Sequence, residues 1–128
     1  TLVYTGLRWH VRAWCEKNQE YRDFVLSRFR GNPEIMDESG HGIDGDELWN
    51  TRVSIRVVPH PGLGDAQREV VEVDYGMEGG ALEVSTRGKL VPYVLKLLHI
   101  DPNEELDDPM AQQIIVENRD ALAPWLFG

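Results

Sequence analysis

The segment at residues 31–47 constrains the fold of this chain more than any other feature. It contains five glycine or proline residues and many acidic ones, and its apolar residues follow no regular period. Such a stretch neither continues a strand nor builds a helix, so it predicts a boundary between two separately organised parts. We therefore expect one part over 1–31, a linker over 32–47 and a second part over 48–128.

The first part has the period-two pattern of β-strands. Apolar and polar side chains alternate over 7–16, a polar turn follows at 17–20, and 21–30 is rich in aromatic and β-branched residues. Two strands joined by a four-residue turn predict a hairpin, and the short apolar stretch 2–5 predicts a third strand. The apolar side of the first hairpin strand, which includes Cys15, is expected to face the core.

The second part mixes the periods of strands and helices. Strand patterns occur at 53–57, 77–86 and 112–116. Helix patterns occur at 65–74 and 89–99, and again after Asn118, a candidate N-cap, with an end near 124–125. The order β-α-β-α-β predicts a small ferredoxin-like α/β sandwich, and the chain as a whole is expected to be α+β.

Two apolar stripes are expected to turn the helices of the second part towards its core. They are Ala66, Val70 and Val73 in the first helix, and Leu90, Val94, Leu97 and Leu98 in the second. Four large apolar residues, Trp49, Trp125, Leu126 and Phe127, lie near segment ends. Residues in such places either close their own core or form a contact with another chain, and the sequence leaves both open.

The net charge of −9 is divided unevenly along the chain. Residues 1–31 hold six cations and three anions, a net charge of +3, whereas 32–128 carry a net charge of −12. An acidic surface repels the DNA backbone, so the second part is a poor DNA-binding surface, whereas the basic first part suits a small anion. No apolar run is long enough to span a bilayer and no signal peptide is present, so we expect a cytoplasmic protein.

The sequence contains few candidate residues for catalysis or metal binding. No serine lies in a G-x-S-x-G motif, and the four histidines are far apart without metal-ligand spacing. We therefore expect no catalytic residue, no metal and no cofactor. The acidic stretch within 31–47 lacks the ligand spacing of a calcium loop and is interpreted as a solvated linker.

The basic residues of the hairpin are the candidate binding site. Arg8, His10 and Arg12 alternate along one side of the first hairpin strand, and guanidinium groups bind phosphate or carboxylate in pairs of hydrogen bonds. The second strand is predicted to carry Arg22, Arg28 and Arg30 on one face and Ser27 on the other. The alternative is a solvated face paired with the hairpin's own acids, Glu16, Glu20 and Asp23.

The run 8–16 (RWHVRAWCE) followed by 21–30 (YRDFVLSRFR) resembles the core of a WYL domain. The Trp-Tyr-Leu signature of that family is replaced here by Trp9-His10-Val11, and the pattern Phe-x-Leu-x-Arg is met by Phe24, Leu26 and Arg28. The amino-acid sequence of these two segments is similar to that of the WYL subgroup that controls anti-phage defence loci. The remainder resembles the WYL C-terminal extension at Trp49, Pro59, Leu63, Gln67-Arg68, Asp74-Tyr75-Gly76-Met77 and Asn118-Arg119-Asp120.

The resemblance implies a partial Sm-like (SH3-like) β-barrel that senses a nucleotide or nucleic-acid effector, followed by a ferredoxin-like extension that helps build a homodimer. It implies a repressor whose operator is bound by a winged helix-turn-helix domain, a pattern missing from this chain. The usual first barrel strands before Leu2 are also missing, so the chain is expected to start inside the barrel. The expected effector ligands are His10, Arg12, Ser27 and Arg28, with Arg8 and Arg30 beside them. The alternative is a stand-alone nucleotide-binding accessory protein.

Overall fold

A computed structural model describes residues 1–101 and 107–126 of the chain. It divides into two compact units, Thr1–Thr51 and Arg52–Gly128. The non-periodic segment at 31–47 belongs to the first unit, and the division falls directly before a long strand. Antiparallel sheets and helices occur together along the chain, which confirms the predicted α+β class.

Three strands form the sheet of the first unit, in the order β1-β2-β3. They are β1 (Leu2–Tyr4), β2 (Trp9–Cys15) and β3 (Glu20–Val25). Both neighbouring pairs are antiparallel, with Leu2 opposite Val11 and Arg12 opposite Asp23. The predicted hairpin and the predicted third strand are therefore confirmed.

The third strand ends earlier than the sequence predicted. Its last residue, Val25, pairs with His10, the second residue of β2, so a strand that continued to residue 30 would run past its partner. Without ladder hydrogen bonds to make, the backbone forms a 3₁₀ turn over Leu26–Arg28. The predicted strand placement was wrong for Ser27, Arg28 and Arg30.

The sheet of the second unit is built around one long strand, β4 (Arg52–Pro59). Its order is β5-β4-β6, with β5 (Leu82–Arg87) and β6 (Ile114–Val116) both antiparallel to β4. The helices are the single turn α1 (Glu47–Asn50), which ends the first unit, and α2 (Asp65–Asp74), α3 (Val91–Leu97) and α4 (Arg119–Leu126). The predicted β-α-β-α-β order and final helix are confirmed. No helix in the described part of the chain is long and apolar enough to cross a membrane.

The core of the second unit forms around β4 because this strand has neighbours at both edges. Ile55 and Val57 of β4 are completely buried and belong to one cluster with Val91 and Leu95 of α3 and Leu122 of α4. Strand alternation fixed which residues of β4 point inward, as predicted from its period of two.

The inward faces of the helices differ from the predicted stripes. In α2 the buried residue is Val71, while Val70 and Val73 are 59% and 75% exposed. In α3, Leu95 is 2% exposed and Leu97 is 66% exposed. Both helices carry apolar residues on more than one side, so periodicity alone offers several stripes and packing against the sheet selects one. The predictions were wrong for Ala66, Val70, Val73 and Leu97.

Asn118 connects the start of α4 to the central strand. Its Nδ2 donates to the carbonyl oxygen of Ser54 at 2.7 Å, and its Oδ1 accepts from the backbone N–H of Arg56 at 2.9 Å. The helix begins at the next residue, as the sequence predicted, but this side chain satisfies the backbone of β4. The polar amide thereby continues the pairing of β4 beyond the last residue of β6.

Three of the four large apolar residues near the segment ends pack within the chain itself. Trp49 is buried, and Trp125 and Leu126 pack against the core of the second unit. The Trp125 ring lies so close to Gly88 that a Cβ at that position would overlap it. Glycine is therefore required there for steric reasons. Phe127 lies outside the described residues.

The two leucines of α3 provide a matched test of this packing. We expect Leu95→Ala to lower the free energy of unfolding by about 2–5 kcal/mol, because it leaves a cavity in a closed core. Leu97→Ala removes the same atoms from an exposed position and should change it by less than about 0.5 kcal/mol. Urea unfolding of both variants measures the difference. Equal losses would contradict the observed orientation of α3.

Candidate functional site

A buried ion pair lies at the centre of the first unit. Nε and Nη2 of Arg12 donate to the two carboxylate oxygens of Asp46 at 2.7 and 3.0 Å, a bidentate arrangement. Nη1 of Arg12 donates to Asp23 at 3.3 Å across the hairpin. The side chains of Arg12 and Asp46 are only 4% and 3% exposed. Two carboxylates therefore already occupy the guanidinium that the sequence marked as an anion ligand.

Asp46 has a second contact that fixes its position. Its Oδ1 accepts from the backbone N–H of Trp49 at 3.3 Å, so the same carboxylate caps α1. The segment predicted to be a solvated linker therefore contacts β2 through Asp46, near the C-terminal end of the segment. Nothing in the local sequence distinguishes this aspartate from the other acids of 31–47, so the contact was missed.

The charge of Arg12 is reinforced by these neighbours. The hydrogen bond to Asp46 raises the pKa of the Arg12 guanidinium above its ordinary value, burial opposes this, and the charge of Asp23 adds to it. Arg12 is therefore a cation in the folded protein. A buried cation of this kind needs an anion beside it at all times, and Asp46 supplies it.

The face of β2 that is turned inward is the polar one. His10 and Arg12 are buried, whereas Trp9 and Leu7 are exposed. The prediction that the apolar side of this strand faces the core was wrong, as was the expectation of a buried Cys15, which is partly exposed. The alternative of a solvated polar face correctly named Asp23 as a partner of Arg12. It was wrong that Arg12 lies in solvent, because the ion pair compensates for the cost of burying this charge.

The six expected effector ligands occupy two different settings. His10 and Arg12 are buried in the sheet, two residues apart on the same side of β2. The other four are exposed: Arg8 before β2, Ser27 and Arg28 in the 3₁₀ turn after β3, and Arg30 beyond it. Nη1 of Arg30 donates to the carbonyl oxygen of Phe29 at 3.0 Å. Since Ser27 and Arg28 are in a turn, the strand rule that separates adjacent side chains does not apply to them.

An open cleft of about 360 Å³ lies beside the ion pair, within the first unit. Arg12 and Asp46 line it together with three aromatic side chains, Trp14, Tyr21 and His41. The rings of Trp14 and His41 are stacked, with centroids 3.9 Å apart, and the hydroxyl of Tyr21 donates to the carbonyl of Gly42 at 2.8 Å. The hairpin register, which places Trp14 opposite Tyr21, was the available signal for two of these residues.

Metal chemistry finds no support among the side chains that the structure describes. Over 1–101 and 107–126, no three His, Cys, Asp or Glu residues are grouped so that they could hold a metal ion. The first unit is thus characterised by one buried ion pair, an aromatic cleft and a set of exposed arginines.

The ion pair can be tested with a variant that keeps the helix cap. Asp46→Asn retains a side-chain oxygen for the N–H of Trp49 but removes the charge that faces Arg12. We expect it to lower the free energy of unfolding by about 3 kcal/mol, the low end for breaking a buried pair, since Asp23 still contacts the guanidinium. Urea unfolding measures the loss.

Arg22→Ala is the matched control for that measurement. Arg22 is half exposed and pairs with Glu20 at 3.5 Å, so its removal should lower the free energy of unfolding by less than about 1 kcal/mol. An Asp46→Asn protein as stable as Arg22→Ala would show that the buried pair does not stabilise the first unit.

Comparison with known proteins gives two family matches. The protein-family model described as "BrxR transcriptional regulator, C-terminal dimerization domain" matches residues 52–122, more than half of the chain. The WYL domain model matches residues 1–32. The resemblance to WYL regulators drawn from the sequence is therefore confirmed, and each match falls inside one of the two structural units.

Curated relatives agree with these matches. Proteins named DNA-binding transcriptional repressor CapW are 39% identical to this chain: that of Stenotrophomonas maltophilia over 127 residues, that of Pseudomonas aeruginosa over 121 and that of Escherichia coli over 127. The alignments cover 94–98% of this chain but only 40–42% of those proteins. The chain thus spans about two fifths of the length of the curated relatives it matches. It belongs to the BrxR family of transcriptional regulators, and it comprises a WYL-domain segment and the C-terminal dimerization domain.

Proposed function

We propose that this chain is the effector-sensing and dimerising region of a bacterial transcriptional repressor that controls an anti-phage defence operon. The observation that carries the proposal is the order of the two family matches, a WYL segment in the first unit and a dimerization domain in the second. The relatives that match both units are named DNA-binding transcriptional repressors.

In this proposal, residues outside this chain bind the operator DNA. No helix-turn-helix pattern occurs in the 128 residues, and 32–128 carry a net charge of −12, which opposes contact with a phosphate backbone. The second unit instead holds two copies of the regulator together. Such a protein acts in the cytoplasm, where its operator lies, and its task requires binding without any bond being broken.

The effector in this proposal is a nucleotide or a nucleic acid, bound by the basic residues of the first unit. His10, Arg12, Ser27, Arg28, Arg8 and Arg30 are the proposed ligands. Their surroundings suggest different roles, since Arg12 is buried against two carboxylates whereas Arg28 is exposed in a turn. Among the described residues, no acidic side chain forms an ion pair with Arg28 or Arg8. These exposed guanidinium groups can meet a phosphate without first losing a partner.

Arg28 is therefore a sharper probe of the effector site than Arg12, whose removal would also break the buried pair. We expect Arg28→Ala to weaken binding of a fluorescently labelled, 5′-phosphorylated single-stranded deoxyoligonucleotide at least about tenfold, because a hydrogen bond to a charged group contributes about 1.5–3 kcal/mol. Fluorescence anisotropy measures the change, with a nucleoside monophosphate as competitor to distinguish the two effector classes.

Arg22→Ala is the control, because it removes one arginine from the same unit but outside the proposed ligands. It should weaken binding less than about threefold, the size expected for an exposed charge at a distance. Equal losses in the two variants would mean nonspecific attraction to a basic surface, and unchanged binding in Arg28→Ala would exclude Arg28 from the site. In the intact regulator, Arg28→Ala should also block derepression during phage challenge while operator binding persists.

A further inference from the structure

The outer side of α2 presents apolar residues that the second unit leaves uncovered. Val70 and Val73 are three residues apart and therefore lie on the same side of the helix. Both are more than half exposed, while Val71 carries the buried side of α2. A helix that needed only to cover its own sheet would place polar residues at the outer positions.

Most of the exposed large apolar side chains of the second unit lie on α2 or beside it. Among the described residues of that unit they are Val70, Val73, Tyr75, Leu97 and Met110. Tyr75 directly follows the last residue of α2, and the Met110 sulfur lies 3.5 Å from Nε2 of Gln67 on the same helix. Leu97 lies on a different helix, α3. Val70, Val73 and Met110 are called the α2 surface below.

We propose that the α2 surface is the centre of the contact between two copies of this chain. The helix lies inside the range 52–122 that matches a dimerization domain, which identifies a second copy as the occupant. Grouped apolar side chains on a surface are typical of contact sites, whereas single ones are not. The inference rests on the proposed function, in which the chain dimerises, and adds the residues through which it does so.

The composition of α2 predicts the character of the contact. A standard interface buries about 800 Å² on each partner, more than three side chains supply, so the α2 surface would be an apolar centre within a polar rim. That rim is acidic, because α2 carries four acidic residues and one arginine. Two copies thus bring like charges together around an apolar centre, and added salt should strengthen the dimer by screening their repulsion.

The test compares the wild-type chain with Val73→Asp by sedimentation velocity over a concentration series. We expect a wild-type dimer and at least a tenfold higher dissociation constant for Val73→Asp, because the aspartate would be desolvated without a partner at the contact. Val73 is exposed within one chain, so its replacement should leave the circular dichroism spectrum and the unfolding midpoint of the monomer unchanged. Val73→Ser is the second variant, with a smaller loss, should the aspartate disturb α2.

Leu97→Asp is the matched control, at an apolar residue on a different helix that is 66% exposed where Val73 is 75% exposed. It should dimerise as the wild type does, and loss of the dimer in this variant as well would overturn the assignment of the contact to α2. A wild-type dimer that persists in both Val73 variants would overturn the inference while leaving dimerisation standing. A wild-type chain that is monomeric at about 100 µM would refute both. The dissociation constant of the wild type should fall as NaCl rises from about 0.05 to about 0.5 M; a rise would indicate an ion-paired contact instead and would also overturn the inference.

Discussion

The bidentate ion pair between Arg12 and Asp46 determines how the first unit is organised. Desolvating two charges is expensive, and the arrangement is stable only because both carboxylate oxygens meet the guanidinium at hydrogen-bond distance. The same carboxylate caps α1, so one side chain holds the non-periodic segment to β2 and starts the helix that follows. The polar side of the hairpin is therefore the inner one.

This arrangement separates two kinds of basic residue that the sequence presents as a single group. Arg12 stabilises the first unit whether or not it also contacts an effector, because Asp46 and Asp23 compensate for its charge. The exposed arginines of the turn and its surroundings have no such task among the described residues. The proposed effector site would therefore combine a fixed, buried cation with exposed cations that are available to a phosphate.

The second unit is governed by the central position of β4. Because this strand is paired at both edges and covered by α3 and α4, its inward residues form one closed core with theirs. α2 contributes Val71 to this core and keeps its other two valines outside. α2 therefore carries more apolar residues than this core covers, and the proposed contact with another copy uses the exposed ones. In the proposed dimer, Val71 faces the core of its own chain while Val70 and Val73 face the other copy.

The sequence by itself determined the strands and the three longer helices of this protein and their order. The period of two located the strands, start and stop signals placed α2 and the beginning of α4, and the motif of 8–16 identified the WYL resemblance. These features depend on residues close together in the chain, so local pattern suffices to find them. The inward face of β2 and the partner of Arg12 were decided only by tertiary structure. Asp46 lies 34 residues from Arg12, and the choice among several apolar stripes depends on which surface each helix meets in space.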